Sequence, residues 1–484
     1  MNRKPLILGL SASLRNRLSY AASNGIIEDL KQISTEEDLN TYIIGEAQGR
    51  RRLSNSGVCL VVALWAAFKE GAEIEHVCIA EHFTPAGELR DIEKLKEDLC
   101  RADGFILSTP VYFGDRSSLS QNFIEMIRSD TALRERVSGK LYAGIAVGAK
   151  RNGGQETTLI YQMLDMLNVG FIAVGNDSIT TSQYGGTGHA GDIGDMPKDS
   201  YGINTSIGTG RRIGRVATLV KIASPDQLLD ELRVGLWILQ DQDDTAKRIM
   251  EEILGEVGPG VDFIKPRLIN KHILPCMACD ICPTTIGPDE KYRCIIASAK
   301  DGMRDFHQDM IRSDVIMPVL YSPKKRNGLS SVYQQFMERT RYLRRGDYVF
   351  TDRLVSPFVF AEIGSDENLH IRMMTSFIRH HTVMIKPVIG WLQDGRLVNE
   401  DEVKKDFDRT LRQGKLLLTG RLNIAEENPG FTIYQPVGYV LNSEKNKQKE
   451  SLDARERAMN MRLDRLVQER NNRMEKRTQK RITA

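Results

Sequence analysis

The sequence has no long hydrophobic run and almost no excess of charge over its 484 residues. The apolar run nearest the N-terminus, Pro5 to Leu10, meets glycine and serine within a few residues, so it is too short for a signal peptide or a membrane span. Lysine and arginine outnumber aspartate and glutamate by only 67 to 64, so a general affinity for polyanions is not implied. These absences predict a cytoplasmic protein with neither a membrane nor a nucleic-acid partner.

Cysteine is scarce as well, but its distribution is uneven. Of the seven cysteines, four lie in the stretch "PCMACDICPTTIGPDEKYRC", as Cys276, Cys279, Cys282 and Cys294. In the cytoplasm, clustered cysteines more often bind a metal or perform redox chemistry than form structural disulfides. The others fall on apolar faces or at a helix end and are expected to be structural thiols: Cys59, Cys78 and Cys100.

The first half of the chain alternates short apolar runs with stretches of helical spacing such as "SGVCLVVALWAAFKEG". Five runs predict strands: "PLILGL", "AEIEHVCI", "GFILSTP", "LYAGIAVG" and "VGFIAVG". The alternation predicts an α/β fold with a doubly wound parallel sheet that is covered on both faces. A ligand of such a domain lies at the carboxyl ends of the strands.

Three loops at those strand ends are polar or rich in glycine. In "GLSASLRN", Ser11, Ser13 and the N–H groups at a helix start can hold a phosphate, and Arg15 adds positive charge; a serine-rich helix cap is the alternative. The second loop, "STPVYFGDRSS", suits packing against a flat ring. In the third, "VGAKRNGGQETT", glycines let the backbone approach a ligand closely. In this order after successive strands, the loops predict one binding site.

These loops, together with the later "YGGTGHAGDIGDMPKDSYGINTSIGTGRRIGRVA", resemble the flavin loops of the NADPH-dependent FMN reductase and iron–sulfur flavoprotein family. The resemblance implies a flavodoxin-like fold that binds FMN at the strand ends. In that family the phosphate loop is usually continuous and ends in Ser-Asn-Thr, whereas here "SASLR" and "LSNSG" are separated by an insertion of about residues 17–52. The insertion is a candidate lid or partner surface, and a structural role is an equal alternative.

The resemblance also implies which residues bind FMN. His189, in the glycine-rich closing loop, is expected to lie near the flavin, but no side chain stands out as an acid–base catalyst. The expected FMN-binding residues are Ser11, Ser13, Arg15, Ser54, Asn55, Ser56, Pro110, Val111, Tyr112, Phe113, Gly114, Gly148, Lys150, Arg151, Gly153, Gly154, Gln155 and Glu156.

Around Leu229 the pattern restarts, which an internal duplication explains most simply. In both halves Arg-x-Asp precedes a buried strand and Gln-x-Phe-x-Glu follows it: Gln121, Phe123 and Glu125 in the first, Gln334, Phe336 and Glu338 in the second. We therefore expect two tandem flavodoxin-like domains, residues 1–226 and 227–442, and a charged helical tail, residues 443–484.

The second half has lost the flavin loops. In the position of "SASLR" it has "QDQDD", and its carboxylates, Asp241, Asp243 and Asp244, would repel a phosphate. "GGQE" is replaced by "GSDEN", and "PVYFG" by "VLYSPKK". One flavin per chain is therefore expected.

The cysteine cluster lies in this second half. Its "CMACDIC" matches the Cys-x2-Cys-x2-Cys motif of the iron–sulfur members of the family, whereas Cys294 is displaced by the extra "PTTIGPDEKY". Three thiolates at this spacing wrap around one corner of a [4Fe–4S] cluster, with the fourth ligand remote. Zinc is the rival metal, although its sites usually comprise two separated ligand pairs, and a disulfide framework is the third alternative.

The C-terminal stretch, "KQKESLDARERAMNMRLDRLVQERNNRMEKRTQKRITA", predicts a charged helix rich in arginine. Its apolar stripe is short for a coiled coil. We expect a solvated helix, with docking on the body or on a partner as alternatives. Binding of a polyanion is a further alternative, through Arg470, Arg473, Lys476 and Arg477.

The expected function is that of an iron–sulfur flavoprotein oxidoreductase, in which one FMN and one [4Fe–4S] cluster exchange electrons. NAD(P)H or ferredoxin is the expected donor, and the acceptor is a small molecule or a protein. Because no separate nicotinamide-binding motif is present, direct use of NAD(P)H rests on the resemblance alone. A homo-oligomer is compatible with the family's pairing of subunits.

The alternative function is an electron carrier or redox-sensing module that serves another enzyme and has no small substrate of its own. An open cavity above the flavin would favour the enzyme. A covered flavin with an exposed cluster would favour the carrier.

Overall fold

The computed structural model of the chain describes residues 4–15, 18–49, 53–84, 86–177, 183–223, 228–255, 257–279, 281–282, 287–298, 301–345, 348–429 and 445–483. The predicted boundaries at 226–227 and 442–443, and both ends of the predicted insertion, lie outside these residues. Contacts divide the chain into two compact units, residues 1–221 and 222–484. None of the described helices combines the length and the apolar character needed to cross a bilayer.

The first unit is a parallel sheet covered by helices. Its strands are β1 (Leu6–Ser11), β2 (Glu73–Cys78), β3 (Gly104–Pro110), β4 (Leu141–Gly148), β5 (Ile172–Val174) and β6 (Gly186–His189). Its helices are α1 (Tyr20–Gln32), α2 (Glu36–Gln48), α3 (Asn55–Lys69), α4 (Ile92–Arg101), α5 (Ser118–Ser129), α6 (Thr131–Val137), α7 (Gln155–Asn168) and α8 (Ser200–Ile222).

The strands of this unit pair in the parallel order β2-β1-β3-β4-β5. This is the doubly wound, flavodoxin-like order, so the predicted fold class is confirmed. β6 pairs with the carboxyl half of β4, beyond β5. All six residues of β1 and all eight of β4 are buried, because a strand between two helical layers must be apolar on both faces. The carboxyl ends of β1, β3 and β4 meet at one edge of the sheet.

The insertion forms α1 and α2, which pack on the unit's own elements. Ser23 of α1 shares a hydrogen bond of 2.9 Å with Nδ1 of the buried His76 on β2. The indole N–H of Trp65 donates to the carbonyl of Ile33 at 3.0 Å. α1 therefore packs against β2, which is the edge strand in the pairing order of this unit.

His76 makes the stability of the first unit sensitive to acid. Burial lowers the pKa of His76 to about 4, so the neutral ring is favoured when the unit is folded. The stabilising contribution is complete above the ordinary value of 6.5 and is lost as the pH falls towards about 4. Relative to His76→Gln, we expect the wild type to lose up to about 1.4 kcal/mol of unfolding free energy per pH unit in that window. Urea unfolding at several pH values measures this difference, and parallel curves for the two proteins would contradict it.

The second unit repeats the same architecture. Its strands are β7 (Leu232–Asp241), β8 (Val261–Ile264), β9 (Val315–Ser322), β10 (Ser330–Ser331), β11 (Leu354–Val355), β12 (Phe358–Glu362), β13 (Val383–Met384), β14 (Val388–Gln393) and β15 (Arg396–Leu397). Its helices are α9 (Thr245–Leu254), α10 (Met303–Arg312), α11 (Tyr333–Arg339), α12 (Arg341–Arg345), α13 (Leu369–Phe377), α14 (Glu400–Glu427) and α15 (Lys445–Thr483). The parallel order is β8-β7-β9-β12-β14, which corresponds strand by strand to that of the first unit.

One pair of hydrogen bonds recurs at equivalent places in the two units. In the first unit Asp103 accepts from the N–H of Leu6 at 2.9 Å and donates its own N–H to the carbonyl of Leu6 at 2.8 Å. In the second, Asp314 and Arg233 form the same pair, at 3.0 and 2.8 Å. Each aspartate is the last residue of the repeated Arg-x-Asp and lies before the central strand. This coincidence supports our proposal that the two halves arose by duplication.

The C-terminal helix α15 packs on the second unit instead of extending into solvent, so the expectation of a solvated helix is wrong. Arg462 and Arg465 bind the carboxylate of Asp289 at 2.8 and 2.5 Å. Arg473, proposed above for a polyanion, binds Asp314 at 2.9 Å and is buried. This docking could not be predicted from the composition of the helix, because the carboxylates that its arginines bind lie far away in the sequence.

Removal of both arginines that bind Asp289 is expected to destabilise the second unit. Asp289 is only 3% exposed, and a buried carboxylate without its partners costs about 3–5 kcal/mol. Urea unfolding of Arg462→Ala/Arg465→Ala, followed through the buried Trp237, should show this loss, whereas Arg457→Ala at an exposed position should not.

The same ion pairs set a pH dependence. Although burial acts in the opposite direction, Arg462 and Arg465 hold the pKa of Asp289 well below its usual range. The stabilisation is therefore complete above about pH 4 and is lost as the pH falls further. A double variant as stable as the wild type at neutral pH would show that α15 does not anchor this unit.

Candidate functional site

The phosphate loop predicted after β1 is completed by the start of α3, on the other side of the insertion. Ser54 is the N-cap of α3, and its Oγ accepts from the N–H of Gly57 at 3.0 Å. The hydroxyl oxygens of Ser54 and Ser56 lie 3.3 Å apart. After β1, Ser13 Oγ accepts from the N–H of Arg15 at 3.3 Å. The first turn of a helix leaves N–H groups without intrahelical partners, so this end of α3 suits a phosphate.

Ser108 on β3 joins the two parts of this loop. Its carbonyl accepts from the N–H of Ala12 at 2.9 Å, and its hydroxyl donates to the carbonyl of Ser56 at 2.8 Å. Asn55 donates from Nδ2 to the carbonyl of Asp192 at 3.0 Å, which connects the helix start to the closing loop. The structure therefore brings the segment after Ser11 together with residues 54–56, although they are far apart in sequence.

The second loop presents two exposed aromatic side chains. Tyr112 is 60% exposed and Phe113 is fully exposed. Phe113 has a φ of +52°, and Gly114 follows with +81°. Val111 fixes the base of the loop, because its N–H donates to the carbonyl of Val147 at 2.9 Å; Pro110, the last residue of β3, pairs with Val147 in the strand register. A left-handed, unpacked aromatic residue costs free energy and is typical of a ligand loop.

The third loop approaches the second so closely that only glycine fits at their contact. Gly154 has a φ of +105°, and a Cβ atom there would lie 2.5 Å from the Cα of Gly114. Gln155 donates from Nε2 to the carbonyls of Lys150 and Gly188 at 2.7 and 3.1 Å, which fixes the loop against β6. The structure therefore holds the second and third loops together as one surface.

The other predicted residues of the third loop have simpler positions. Gly148 is the last residue of β4 and pairs with His189 of β6. The N–H of Gly153 donates to the carbonyl of Lys150 at 3.2 Å and so tightens the turn. Glu156 is exposed in the first turn of α7, where a carboxylate compensates the helix dipole.

Arg151 is held by the closing loop. Its guanidinium forms an ion pair with Asp199, donates to the carbonyl of Thr187 at 3.1 Å, and lies 4.5 Å from the ring of Tyr201. Asp199 also accepts from the N–H of His189 at 2.8 Å. Sequence reasoning missed Asp199 and Tyr201, although both lie in the closing-loop stretch on which the resemblance depends. An acidic and an aromatic side chain in that stretch could have been predicted as partners of Arg151.

An open cavity of about 790 Å³ lies beside this arginine. A cavity of this size is typical of sites for small molecules. It is lined by polar groups and one aromatic ring, among them Arg151, Asn152, His189, Lys198, Asp199 and Tyr201.

The corresponding strand end of the second unit is occupied by a carboxylate. Asp241 ends β7, and its carboxylate accepts from the N–H groups of Gln242, Ala246 and Lys247 at 2.8, 2.9 and 3.3 Å. Two of these donors belong to the first turn of α9, the position that holds a phosphate in a phosphate-binding domain. These N–H groups are therefore already bound. This is a second reason, besides the charge repulsion predicted from the sequence, why a phosphate is not expected there.

Three of the four clustered cysteines lie near enough to the fourth, Cys282, to influence its charge. Burial is the largest of the effects that raise the pKa of the Cys282 thiol to about 11, and the nearby Cys294, Cys279 and Cys276 contribute to the same shift. Cys279 is exposed and the other three are half-buried. The N–H of Ala278 donates to Cys276 Sγ at 3.4 Å. The displaced Cys294 thus lies within electrostatic reach of the compact motif, despite the intervening residues.

The donor sets fit the two expected cofactors to different degrees. Among the described residues, no group of three or more His, Cys, Asp or Glu side chains has the geometry of a metal site. The thiol cluster is nevertheless chemically suited to iron or zinc, and a metal would stabilise the thiolates against the raised pKa.

For FMN, the buried oxygens Asn55 Oδ1 and Gln155 Oε1 have no hydrogen-bond partner in the described part of the chain. Both border the loops described above and remain available to a ligand.

Comparisons with known proteins find similar sequences and structures. The family model described as NADPH-dependent FMN reductase matches residues 48–185. An iron–sulfur flavoprotein of Methanocaldococcus jannaschii is 32% identical over 195 residues, which cover 37% of this chain and 98% of that protein. Another, from Methanosarcina thermophila, is 29% identical over 199 residues and covers 37% and 96%. Among solved structures, a WrbA-like flavodoxin from Agrobacterium tumefaciens has 15% identity and a TM-score of 0.26, over 44% of this chain and 98% of its own.

The relative from Methanocaldococcus jannaschii is matched over almost its whole length, and the matched family model includes two of the three loops, at residues 108–118 and 147–158. The three loops and the start of α3 lie at the strand ends where the fold places a ligand. The chain therefore belongs to the NADPH-dependent FMN reductase and iron–sulfur flavoprotein family and is an FMN-dependent oxidoreductase.

Proposed function

We propose that the first unit binds one FMN, that the four cysteines of the second unit bind one [4Fe–4S] cluster, and that the protein passes electrons between them. A small acceptor is reduced at the expense of NAD(P)H or ferredoxin. FMN supplies hydride or single-electron chemistry when bound, and the cluster supplies single-electron chemistry. The chain's own residues bind the groups, orient them and set their surroundings.

The observation that carries this proposal is the Cys-x2-Cys-x2-Cys spacing of Cys276, Cys279 and Cys282, with Cys294 near enough to contribute to the raised pKa of Cys282. A three-plus-one set of this kind suits a cubane better than zinc, whose ligands usually come as two separated pairs. The N–H of Ala278 that donates to Cys276 Sγ supports a bound thiolate, because hydrogen bonds to sulfur stabilise negative charge there.

One flavin per chain follows from the contrast between the two strand ends. In the first unit, α3 is capped by the neutral hydroxyl of Ser54, which accepts from the N–H of Gly57, and a helix start of this kind suits a phosphate. In the second unit, Asp241 already accepts from the first turn of α9. A phosphate would have to displace a carboxylate that is bound by three N–H groups and is itself negatively charged.

The residues of the first unit divide the binding of FMN between them. The start of α3 is proposed to hold the phosphate, and the paired second and third loops are proposed to contact the ring. Phe113 and Tyr112 offer apolar surface, and Gln155 offers a free carbonyl oxygen. Arg151 orients the closing loop through Asp199.

The open cavity beside Arg151 favours an enzyme over an electron carrier. A carrier needs only an exposed edge of its cofactor, whereas a small acceptor needs space next to it. His189, Lys198 and Tyr201 line that space and are candidates for contacts with the acceptor or the donor.

The test is the iron, sulfide and flavin content of anaerobically purified protein, with visible spectra before and after addition of NADPH or reduced ferredoxin. About four irons and about one FMN per chain would support the proposal. Bleaching of the flavin by NADPH alone would identify the nicotinamide as the electron donor. Bleaching by reduced ferredoxin alone would identify ferredoxin as the donor. Zinc without iron, or two flavins per chain, would overturn the division between the units.

A further inference from the structure

Both ends of the cysteine-bearing segment are tied to one buried side chain. Arg339, at the end of α11, is only 1% exposed. It donates to the carbonyl of Leu274 at 2.9 Å, two residues before Cys276. It also donates to the carbonyl of Ile296 at 3.0 Å, two residues after Cys294, and to the hydroxyl of Tyr292. One guanidinium therefore holds the entry and the exit of the loop that carries all four thiols.

A buried ion pair fixes this guanidinium in turn. Asp301 binds Arg339 through both carboxylate oxygens, at 3.1 and 2.7 Å, and both side chains are wholly inaccessible to solvent. Asp301 also accepts from the N–H of Leu274 at 3.2 Å. Bidentate pairing orients the planar guanidinium, so that its remaining N–H donors point at the two ends of the cysteine-bearing segment.

The neighbouring Glu338 reaches the first cysteine directly. One carboxylate oxygen accepts from the N–H of Cys276 at 3.3 Å. The other accepts from Gln334 on the preceding turn of α11, at 3.4 Å. Glu338 and Gln334 belong to the Gln-x-Phe-x-Glu sequence that both halves of the chain share.

In the first unit, the same sequence is part of a different set of contacts. Glu125 accepts from Gln121 at 2.8 Å and from Arg128 at 2.6 Å. The next residue is Met126, which is buried, whereas in the second unit the next residue is Arg339. The second unit, which carries the four clustered cysteines, thus has an arginine at the position where the first unit has the apolar Met126.

We propose that Glu338 and Arg339 are positioning residues of the cysteine site, which hold Cys276 and Cys294 within reach of one cluster. The inference rests on the proposed function and extends it to two residues that are not ligands. A loop with fixed ends loses less conformational freedom when a metal group binds, so its complex is retained longer. Residues outside the ligand set commonly contribute in this way to metal affinity.

Three variants test the positions separately. Glu338→Ala removes the acceptor for Cys276 and leaves the buried ion pair intact. Arg339→Met introduces the residue of the first unit, but it leaves Asp301 buried and unpaired. Arg339→Met/Asp301→Asn removes the two charges together and guards against a simple failure to fold. Glu125→Ala, the equivalent of Glu338→Ala in the first unit, is the matched control.

The first measurement is the rate at which the iron of each anaerobically purified protein is lost to an excess of chelator, together with the EPR spectrum of the reduced protein. We expect a loss about tenfold faster in the three variants, in line with other outer contacts of metal sites, and an altered EPR signal in Glu338→Ala. FMN content should be unchanged, and Glu125→Ala should resemble the wild type in iron loss. Wild-type rates and spectra in Glu338→Ala and in the double variant would overturn the proposal.

The second measurement needs no metal. The rate of alkylation of Cys276 and Cys294 in the metal-free full-length chain is followed by mass spectrometry, with Cys100 as an internal reference. Faster alkylation in the variants would support positioning by Glu338 and Arg339, and equal rates would contradict it. If the wild type binds no iron, the proposed function fails, and this readout alone then decides the positioning role.

Discussion

Replacement of Cys282 by serine is expected to remove the proposed iron–sulfur cluster and to leave FMN in place. Cys282 is the third cysteine of the Cys-x2-Cys-x2-Cys motif, so its loss leaves the proposed cluster with one thiolate fewer. Serine is a much weaker ligand for iron than a thiolate. We expect the iron content of Cys282→Ser to fall at least fivefold, while FMN stays at about one per chain, because the two sites belong to different units.

Iron, sulfide and flavin assays on anaerobically purified protein measure both effects at once. Cys100→Ser is the matched control, because Cys100 is a half-buried thiol of the first unit that lies outside the cluster. It should retain both cofactors. A Cys282→Ser protein that keeps its iron would exclude Cys282 as a ligand. If the wild type contains zinc and no iron, and Cys282→Ser loses the zinc, the cysteines form a metal site but the metal is zinc.

The sheet of the first unit could be predicted from the sequence because its signals are local. A strand buried on both faces must be a continuous apolar run, and β1, β3 and β4 are such runs. The loops that follow them are recognisable for the same reason, since the strand ends determine where they lie. The family's pattern predicts a second part of the phosphate loop at Ser54, and the structure places Ser54 at the N-cap of α3.

Contacts between distant segments could not be predicted in this way. The pairing of Arg151 with Asp199 depends on a partner 48 residues away, and that of Arg473 with Asp314 on one 159 residues away. Charge patterns identify residues that need a partner but do not say which one they find. This is why the charged α15 was expected to be solvated, whereas its arginines bind buried carboxylates of the second unit.

Asp241 shows how one carboxylate can occupy the place of a phosphate at a strand end of this fold. The strand end and the start of α9 have the geometry of a phosphate site, but the carboxylate supplies the negative charge from within the chain. The second unit therefore keeps the architecture of a flavin domain and satisfies its helix N-terminus by itself.

Substitution of Gly154 by alanine is expected to weaken FMN binding at least tenfold, which corresponds to about 1.4 kcal/mol. Two effects combine at this residue. Its φ of +105° is unfavourable for any side chain, and the new Cβ would lie 2.5 Å from the backbone of Gly114. The clash cannot be relieved by rotation of a side chain, so the second and third loops must move apart. Since both loops are proposed to contact the flavin ring, their separation should affect binding more than stability.

The affinity of the metal-free or metal-bound protein for FMN can be measured by quenching of flavin fluorescence. Gly71→Ala is the matched control, because Gly71 also has a positive φ, +92°, but a Cβ there meets no atom within 4 Å. It therefore reports the cost of backbone strain alone, which should reduce stability slightly and leave FMN affinity unchanged. Equal affinities of Gly154→Ala and the wild type would mean that the contact between the two loops does not form the flavin site, and the position of the ring would have to be sought elsewhere at the carboxyl ends of the strands.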